Sequence, residues 1–379
     1  MRITLQKIRD KKSAYDITEA VTSVGWSGSA TQASRKLELS LVNTPFDKSF
    51  EIPVIEQGDI IRFYFDGKRK FIGRVLRSSG SSSPGDNAYS AYDYMNVLLR
   101  SRFSYNFKNK TPESIAKAVI GDAGLKVGAL KATGVNIKSW LIDGETGYNI
   151  IIGAYYKAYK KKGKKYMPYM DGLKVCVGEK GQSCGIKLKL GANVLRSEFE
   201  ESAEDIVNKV IIYDENGKRT GTVSEKDSIT LYGIYQDIYK KSEGVNATEE
   251  AKKMLKSSEK SVKVDIIGDI RAVSGKSIML YDNITGLWGK FYIDTDSHSF
   301  SGGVHTASLT LSFQNFMEGS EEDLKIAYPI AAPEKECYYS SGGEKYHSKS
   351  TCGKMNKPIK TTVNEAVKEG KSKCLRCWQ

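Results

Sequence analysis

Two stretches decide how this chain is read. The first is GDIIRFYFDGKRKFIGRVLRSSGSSSPGDNAYSAYDY, residues 58–94, and the second is SGKSIMLYDNITGLWGKFYIDTDSHSFSGGVHTASLTL, residues 274–311. Each contains a strand, a tight turn and a second strand with aromatic or glycine spacing. Each then has a glycine-serine loop and a strand that starts small and polar. In the first, FDGKRKF places Asp66-Gly67 at a hairpin tip, and SSGSSSPGD, residues 78–86, reads as a flexible loop. A repeat of this kind predicts two related β domains with something different between them.

The segment between them changes period. In NKTPESIAKAVIGDAGL, Thr111 suits a helix N-cap, Pro112 the first turn and Gly124 the stop, while Ile115, Val119 and Ile120 form an apolar stripe. TGYNIIIGAYYKAYKKK predicts a second helix. KYMPYMDGLKVCVG and CGIKLKLG predict a small sheet, with Cys176 and Cys184 as plain strand residues. Further on, EFEESAED is expected at a helix start, where acids favour the dipole, and NATEEAKKMLKSSEK as one helix. The expected fold class is mainly β with an α+β insertion. Residues 1–104 form a first β-barrel domain, 105–204 an α+β domain, 205–320 a second β-barrel domain, 321–336 a linker containing AAPEKE, and 337–379 a small C-terminal module.

Composition sets outer bounds. The 379 residues suffice for two or three domains with cores of their own. Tyrosine is common (22) and glycine plentiful (35), which favours β structure. No apolar run is long enough for a membrane helix, so no membrane partner is expected. The first residues carry no apolar signal segment, and synthesis in the host cytoplasm is expected. The net charge is +13, with its densest run in YKAYKKKGKKY; this reads as a solvated helix end, and the even spread elsewhere argues against a dedicated nucleic-acid groove.

Four of the six cysteines follow residue 336. EKYHSKSTCGKM sets His347 and Cys352 close together, and KCLRCWQ sets Cys374 beside Cys377. One imidazole and three thiolates match a closed, structural, four-ligand zinc site. A module this short has too little core to fold alone, so one zinc per chain gives it a reason to fold. Thr362 and Glu365 are spaced as a capping box for a short helix. A redox Cys-x-x-Cys pair is disfavoured by the lack of a βαβ frame, and Cys337 stands as a spare that could replace a ligand. The module resembles small zinc-binding tails of bacterial and phage proteins, on GGEKYHSKSTC…PIKTTVNEAVKEGKSKCLRC. Elsewhere Asp294, Asp296, His298 and His305 approach one another in DTDSHSFSGGVH; this reads as strand–loop–strand rather than a catalytic cluster. No nucleophile elbow, nucleotide loop or metalloprotease helix is present, so catalytic and cofactor-binding residues are expected to be none.

The β–(α+β)–β order, with GDIIRFYFDGKRKFIGRV, YSAYDYMNVLLRS, KTPESIAKAVIGDAGL and GKFYIDTDSHSFSGGVHTASLTLSF, resembles the baseplate hub proteins of contractile-tailed phages and R-type phage-like bacteriocins. The resemblance covers residues 1 to 318. It implies a non-enzymatic homotrimer in the baseplate of a virion or bacteriocin particle. There it would join the six-fold tail tube protein to the three-fold spike protein beside other baseplate proteins, with nucleic acid only passing through the channel. The rivals are a zinc-tailed cell-wall hydrolase or nuclease, which lacks a catalytic cluster, and a carbohydrate-binding module, which gives no reason for paired β domains.

Overall fold

A computed structural model describes residues 2–9, 13–31, 33–44, 49, 52–81, 85–241, 246–317, 336–352, 355, 358–363, 366, 369–374, 376 and 377. The chain divides into two compact units, Met1–Gly319 and Ser320–Gln379. The expected linker, apart from Glu336, and most of the expected tail helix, with Glu365, lie outside the described residues.

The first unit opens with β1 (Ile3–Arg9), β2 (Ser13–Asp16), β3 (Val21–Ser29), β4 (Lys36–Asn43), β5 (Ile60–Phe65), β6 (Lys68–Ser79) and β7 (Gly85–Asp93). The β5–β6 turn is the expected two-residue hairpin: Phe65 pairs with Lys68, and both Asp66 and Gly67 take positive φ, +46° and +75°. β4 alternates as a half-buried strand should, with Leu37, Leu39 and Leu41 inside. Each such side chain contributes about 1.5–3 kcal/mol of burial.

Next come α1 (Met95–Arg100), β8 (Arg102–Lys110), α2 (Pro112–Asp122), β9 (Lys126–Leu130), β10 (Ile137–Thr146), α3 (Gly147–Lys162), β11 (Tyr166–Asp171) and β12 (Lys174–Glu179). The Thr111 side chain caps α2 by accepting from Ser114 N, and Gly124 leaves the helix at φ +69°. Thr146 caps α3 in the same way, and Gly163, left-handed at φ +71°, ends it after Lys160, Lys161 and Lys162. β11, β12 and β9 form a three-stranded sheet, and β8 pairs with β10.

The chain then continues through β13 (Ser183–Lys189), β14 (Val194–Ser202), β15 (Lys209–Tyr213), β16 (Arg219–Ser224), α4 (Lys226–Tyr232), β17 (Gln236–Lys240), α5 (Ala247–Lys253), β18 (Glu259–Ile267), β19 (Ser277–Asp282), β20 (Leu287–Ser301) and β21 (Val304–Ser312). Three expectations are corrected here. Residues 198–202 belong to β14, not to a helix start, because they pair with β18 along its length. β13 leaves the small sheet and pairs with β19. β15, β16 and β17 form a separate sheet over α5, with Val210, Ile212 and Ala251 at its centre, so residues 205–320 are not one β domain. The helix expected from NATEEAKKMLKSSEK is confined to α5, capped by Asn246.

Among the described residues no closed barrel forms. Thirteen strands join one sheet in the order β14-β18-β21-β20-β3-β4-β7-β6-β5-β1-β2, with β19 beside β20 and β13 beside β19. Within it the repeat is explicit. β3-β4-β7-β6-β5-β1 has the same order as β14-β18-β21-β20-β19-β13, although β1 runs antiparallel to β5 and β13 parallel to β19. Local bonds match as well. Gly58 N and Val75 N bond Val75 O and Asp59 O, as Gly275 N and Ile293 N bond Ile293 O and Lys276 O. Each long strand has an irregularity at this point, between Val75 and Arg77 and between Ile293 and Thr295. The cores correspond: Leu37, Leu39 and Leu41 in one, Val262, Val264 and Ile266 in the other.

The second unit contains β22 (Glu336–Tyr339), β23 (Lys345–Tyr346), β24 (Ile359–Thr362) and β25 (Ser372–Lys373). β22 pairs with β24, and β23 with β25. Its apolar centre is Cys337, Tyr339, Tyr346 and Ala366, with Val363 against it.

Candidate functional site

The tail gathers its four expected ligands. His347 follows β23 and is fixed by two backbone bonds with Tyr338, its N–H on Tyr338 O at 2.7 Å and its carbonyl accepting at 2.8 Å. Cys374 follows β25, held by its N–H on Tyr346 O at 3.0 Å. The parallel β23–β25 pair therefore brings the His347 end of one strand beside the Cys374 end of the other. The donor atoms of His347, Cys352, Cys374 and Cys377 all lie within 4.8 Å of one another. A tetrahedral zinc with bonds of about 2.0–2.3 Å sets its ligands roughly 3.3–3.8 Å apart. Cys377 Sγ is already 3.7 Å from His347 Nδ1, so the set needs only a small contraction.

The thiols are electrically unequal. Burial opposes ionisation of Cys377, but the Ser348 backbone N–H, the Ser348 hydroxyl, Cys352 and His347 outweigh it and bring the thiol down to about 6. Desolvation, then Cys377 and Cys374, push Cys352 up to about 11. Three cysteine sulfurs and an imidazole, with Cys377 drawn towards its thiolate, make a donor set for a soft cation. Cys337 is outside the cluster: it is wholly buried in the tail core, where burial raises its thiol.

The Asp/His group takes a different form. Asp296 and His298, on β20, are buried, and His305, on β21, nearly so. Arg35 grips both oxygens of Asp296, which also accepts from Ser274 N at 2.6 Å. His298 Nε2 lies 3.0 Å from Ala272 O, so Nε2 carries the proton; Nδ1 then accepts from His305 Nε2, also at 3.0 Å. Arg35 stacks on Trp26 with its guanidinium carbon 3.8 Å from the ring centre. Burial works against the Asp296 charge, but Arg35 and His298 hold its carboxyl well below the usual range. Burial first, and then the neighbouring His298, lower His305 to about 4. Asp294 stands apart, accepting from the Ser312 hydroxyl at 3.1 Å.

This network sits where β3 pairs with β20, Thr295 facing Ser29 through Ser301 facing Ser23. It fastens the two repeats together. Asp296 and both ring nitrogens of His298 are engaged within the protein, although Arg35 Nε and Trp26 Nε1 are buried without a partner, and among the described residues neither a nucleophile nor an open metal position completes the network. A groove of about 730 Å³ runs past Trp26, Arg35, Tyr169 and Lys276, but Asp296, His298 and His305 do not line it. Sequence reading missed Arg35 because it bonds a residue 261 positions away, and no local spacing marks that pairing. It likewise missed the buried Asp93, which binds Ser34, Arg35 and Met95 and which burial raises to about 6.

With this geometry in view, comparison with known proteins is informative. The model of a family described as YQBQ-like matches residues 24–312. The phage-like element PBSX protein XkdQ of Bacillus subtilis is 25% identical over 310 residues, 78% of this chain and 93% of that protein. The crystal structure of a 43 kDa tail protein from prophage MuSo2 of Shewanella oneidensis aligns over 84% of this chain and 99% of its own, with a TM-score of 0.63 and 19% identity. A tail protein from Neisseria meningitidis aligns over 83% and 98%, with a TM-score of 0.58 and 14% identity. The family match ends before the Ser320–Gln379 unit begins. The repeated sheet from β3 onward, with nearly all of the joint between its halves, thus lies inside a shared pattern: this chain belongs to the YQBQ-like family, and its fold is that of phage tail proteins.

Proposed function

We propose that this chain is the structural hub of a contractile phage or bacteriocin baseplate: a homotrimer that joins a six-fold tail tube to a three-fold spike and catalyses nothing. The observation that carries this reading is the repeated six-strand order within Met1–Gly319. Two quasi-equivalent β segments per chain turn three copies into six similar surfaces, which is what such an adaptor requires. Likeness to XkdQ and to prophage tail proteins supports it. Size-exclusion chromatography with light scattering tests it: the full chain runs as a trimer, and a chain ending at Gly319 remains one. A monomer at the highest soluble concentration would reject the reading.

The tail is an appendage in this proposal, folded around one structural zinc held by His347, Cys352, Cys374 and Cys377. What supports it is the convergence of the four donor atoms on so small an apolar centre. Elemental analysis of reduced, untagged protein should find one zinc per chain; metal-free, folded protein would sink the assignment.

A further inference from the structure

We infer that one copy of this chain joins the next by pairing β14 with the far half of β6, repeating between molecules the joint that β3 and β20 make within one. The inference rests on the trimeric reading above and names the surface that reading leaves unassigned.

The two repeats can be matched residue by residue. Matching the irregularities in β6 and β20 puts Arg77 where Thr295 stands. Following the cross-strand pairs outward matches Ala91 with Leu311, Leu37 with Val262, and Trp26 with Phe199. β3 therefore corresponds to β14, and the second half of β20 to the second half of β6.

In the chain, the second half of β20 receives β3. Among the described residues the equivalent half of β6, beyond Val75, pairs with β7 alone, and β14 from Arg196 on pairs with β18 alone. One molecule thus has a complete joint in its middle and a separated half-joint at either end. Free strand edges of this kind invite pairing with another chain.

Side chains agree. Trp26, sealed in the internal joint, is 4% exposed, whereas its counterpart Phe199 is 40% exposed, and Leu195 on the same strand 57%. Charge is complementary too. Glu200 lies on β14 and Arg77 on the far half of β6, while Glu198 and Glu201 are already paired with Arg196 and Lys260. Neither Arg77 nor Glu200 has an ion-pair partner among the described residues.

The internal register predicts the external one. His298 faces Trp26 and Ser297 faces Ser27. Gly80 should therefore face Phe199 of the next copy and Ser79 should face Glu200, with Arg77 diagonal to Glu200 on the same face. Since the two half-joints differ, the contact is head-to-tail and closes only as a ring.

The test uses the purified full chain. A photo-crosslinking residue in place of Phe199 should couple to a second copy within residues 78–81. Phe199→Asp, at an exposed site, should leave a folded monomer. Arg77→Glu and Glu200→Arg should each weaken assembly by about tenfold, and the chain carrying both should recover. A trimer that survives Phe199→Asp, or crosslinks outside residues 78–81, would overturn this joint while leaving the trimer standing. A wild-type monomer would overturn both.

Discussion

The two units of this molecule are held together by different means. In Met1–Gly319 the strands of one sheet bury Leu37, Leu39, Leu41, Ile61 and Phe63 on one side of the repeat and Val262, Val264, Ile266 and Leu280 on the other. In Ser320–Gln379 the described apolar centre is four residues and a neighbour, beside four metal-type donors. A large surface buried once is robust to the loss of any single group. A small module with one cross-link is not. The first unit uses its charged groups as struts inside an already adequate core; among its described residues the second has little besides its donors to fold around.

The sharpest break between the units should follow metal removal. On the proposed zinc assignment, chelation or Cys374→Ser should expose the tail to protease, since structural zinc sites are worth about 10–16 kcal/mol of apparent binding energy. The main melting transition of Met1–Gly319 should not move. A tail that stays protected without metal would erase the contrast.

Arg35→Ala comes next. It leaves Asp296 buried without its cation, at a cost of about 3–5 kcal/mol. Denaturant melting should show it, with the zinc content unchanged. An effect below about 1 kcal/mol would mean that the joint does not need its ion pair.

Leu39→Ala, inside β4, should cost about 2–5 kcal/mol by loss of burial and a cavity. It too should spare the metal, which calorimetry and elemental analysis on one sample can check together.

The smallest effect is a pH dependence. His305 is held at about 4, below its unfolded value near 6.5. Its contribution is therefore complete above pH 6.5 and is lost as pH falls towards 4, because the unfolded chain takes the proton first. At pH 5.5 the stability difference between the native chain and His305→Gln should have narrowed by about 1.4 kcal/mol from its value at pH 8. Comparing the two chains removes the opposing titration of Asp93, whose raised carboxyl acts in the other direction. A constant difference would show that His305 does not titrate in this window.

Local chemistry in this chain was legible in advance. Asp66 and Gly67 fix a hairpin because both can take positive φ. Thr111 starts a helix because its hydroxyl accepts from an N–H group three residues on, and Gly124 leaves it because it turns left-handed without strain. The tail donors were legible because a cation needs few ligands and their spacing is short. Each of these acts over a handful of residues, so the sequence by itself determined them, along with the presence of a repeat.

What the sequence could not determine depends on partners far along the chain. Glu198, Phe199 and Glu200 have the composition of a helix start, yet β18, some sixty residues on, makes them a strand. β13 reads as part of a small local sheet, yet β19 takes it. The expected pair of closed barrels became one continuous sheet because β3 pairs with β20. Arg35 and Asp296 meet only once that pairing is made, and Asp296 is then buried deeply enough that its charge survives only through the guanidinium. Strand partners are chosen by complementary faces and edges in three dimensions, where backbone bonds carry no residue code. Tertiary structure alone therefore decided which strands meet, where the repeats are fastened, and which two half-joints are left for another copy.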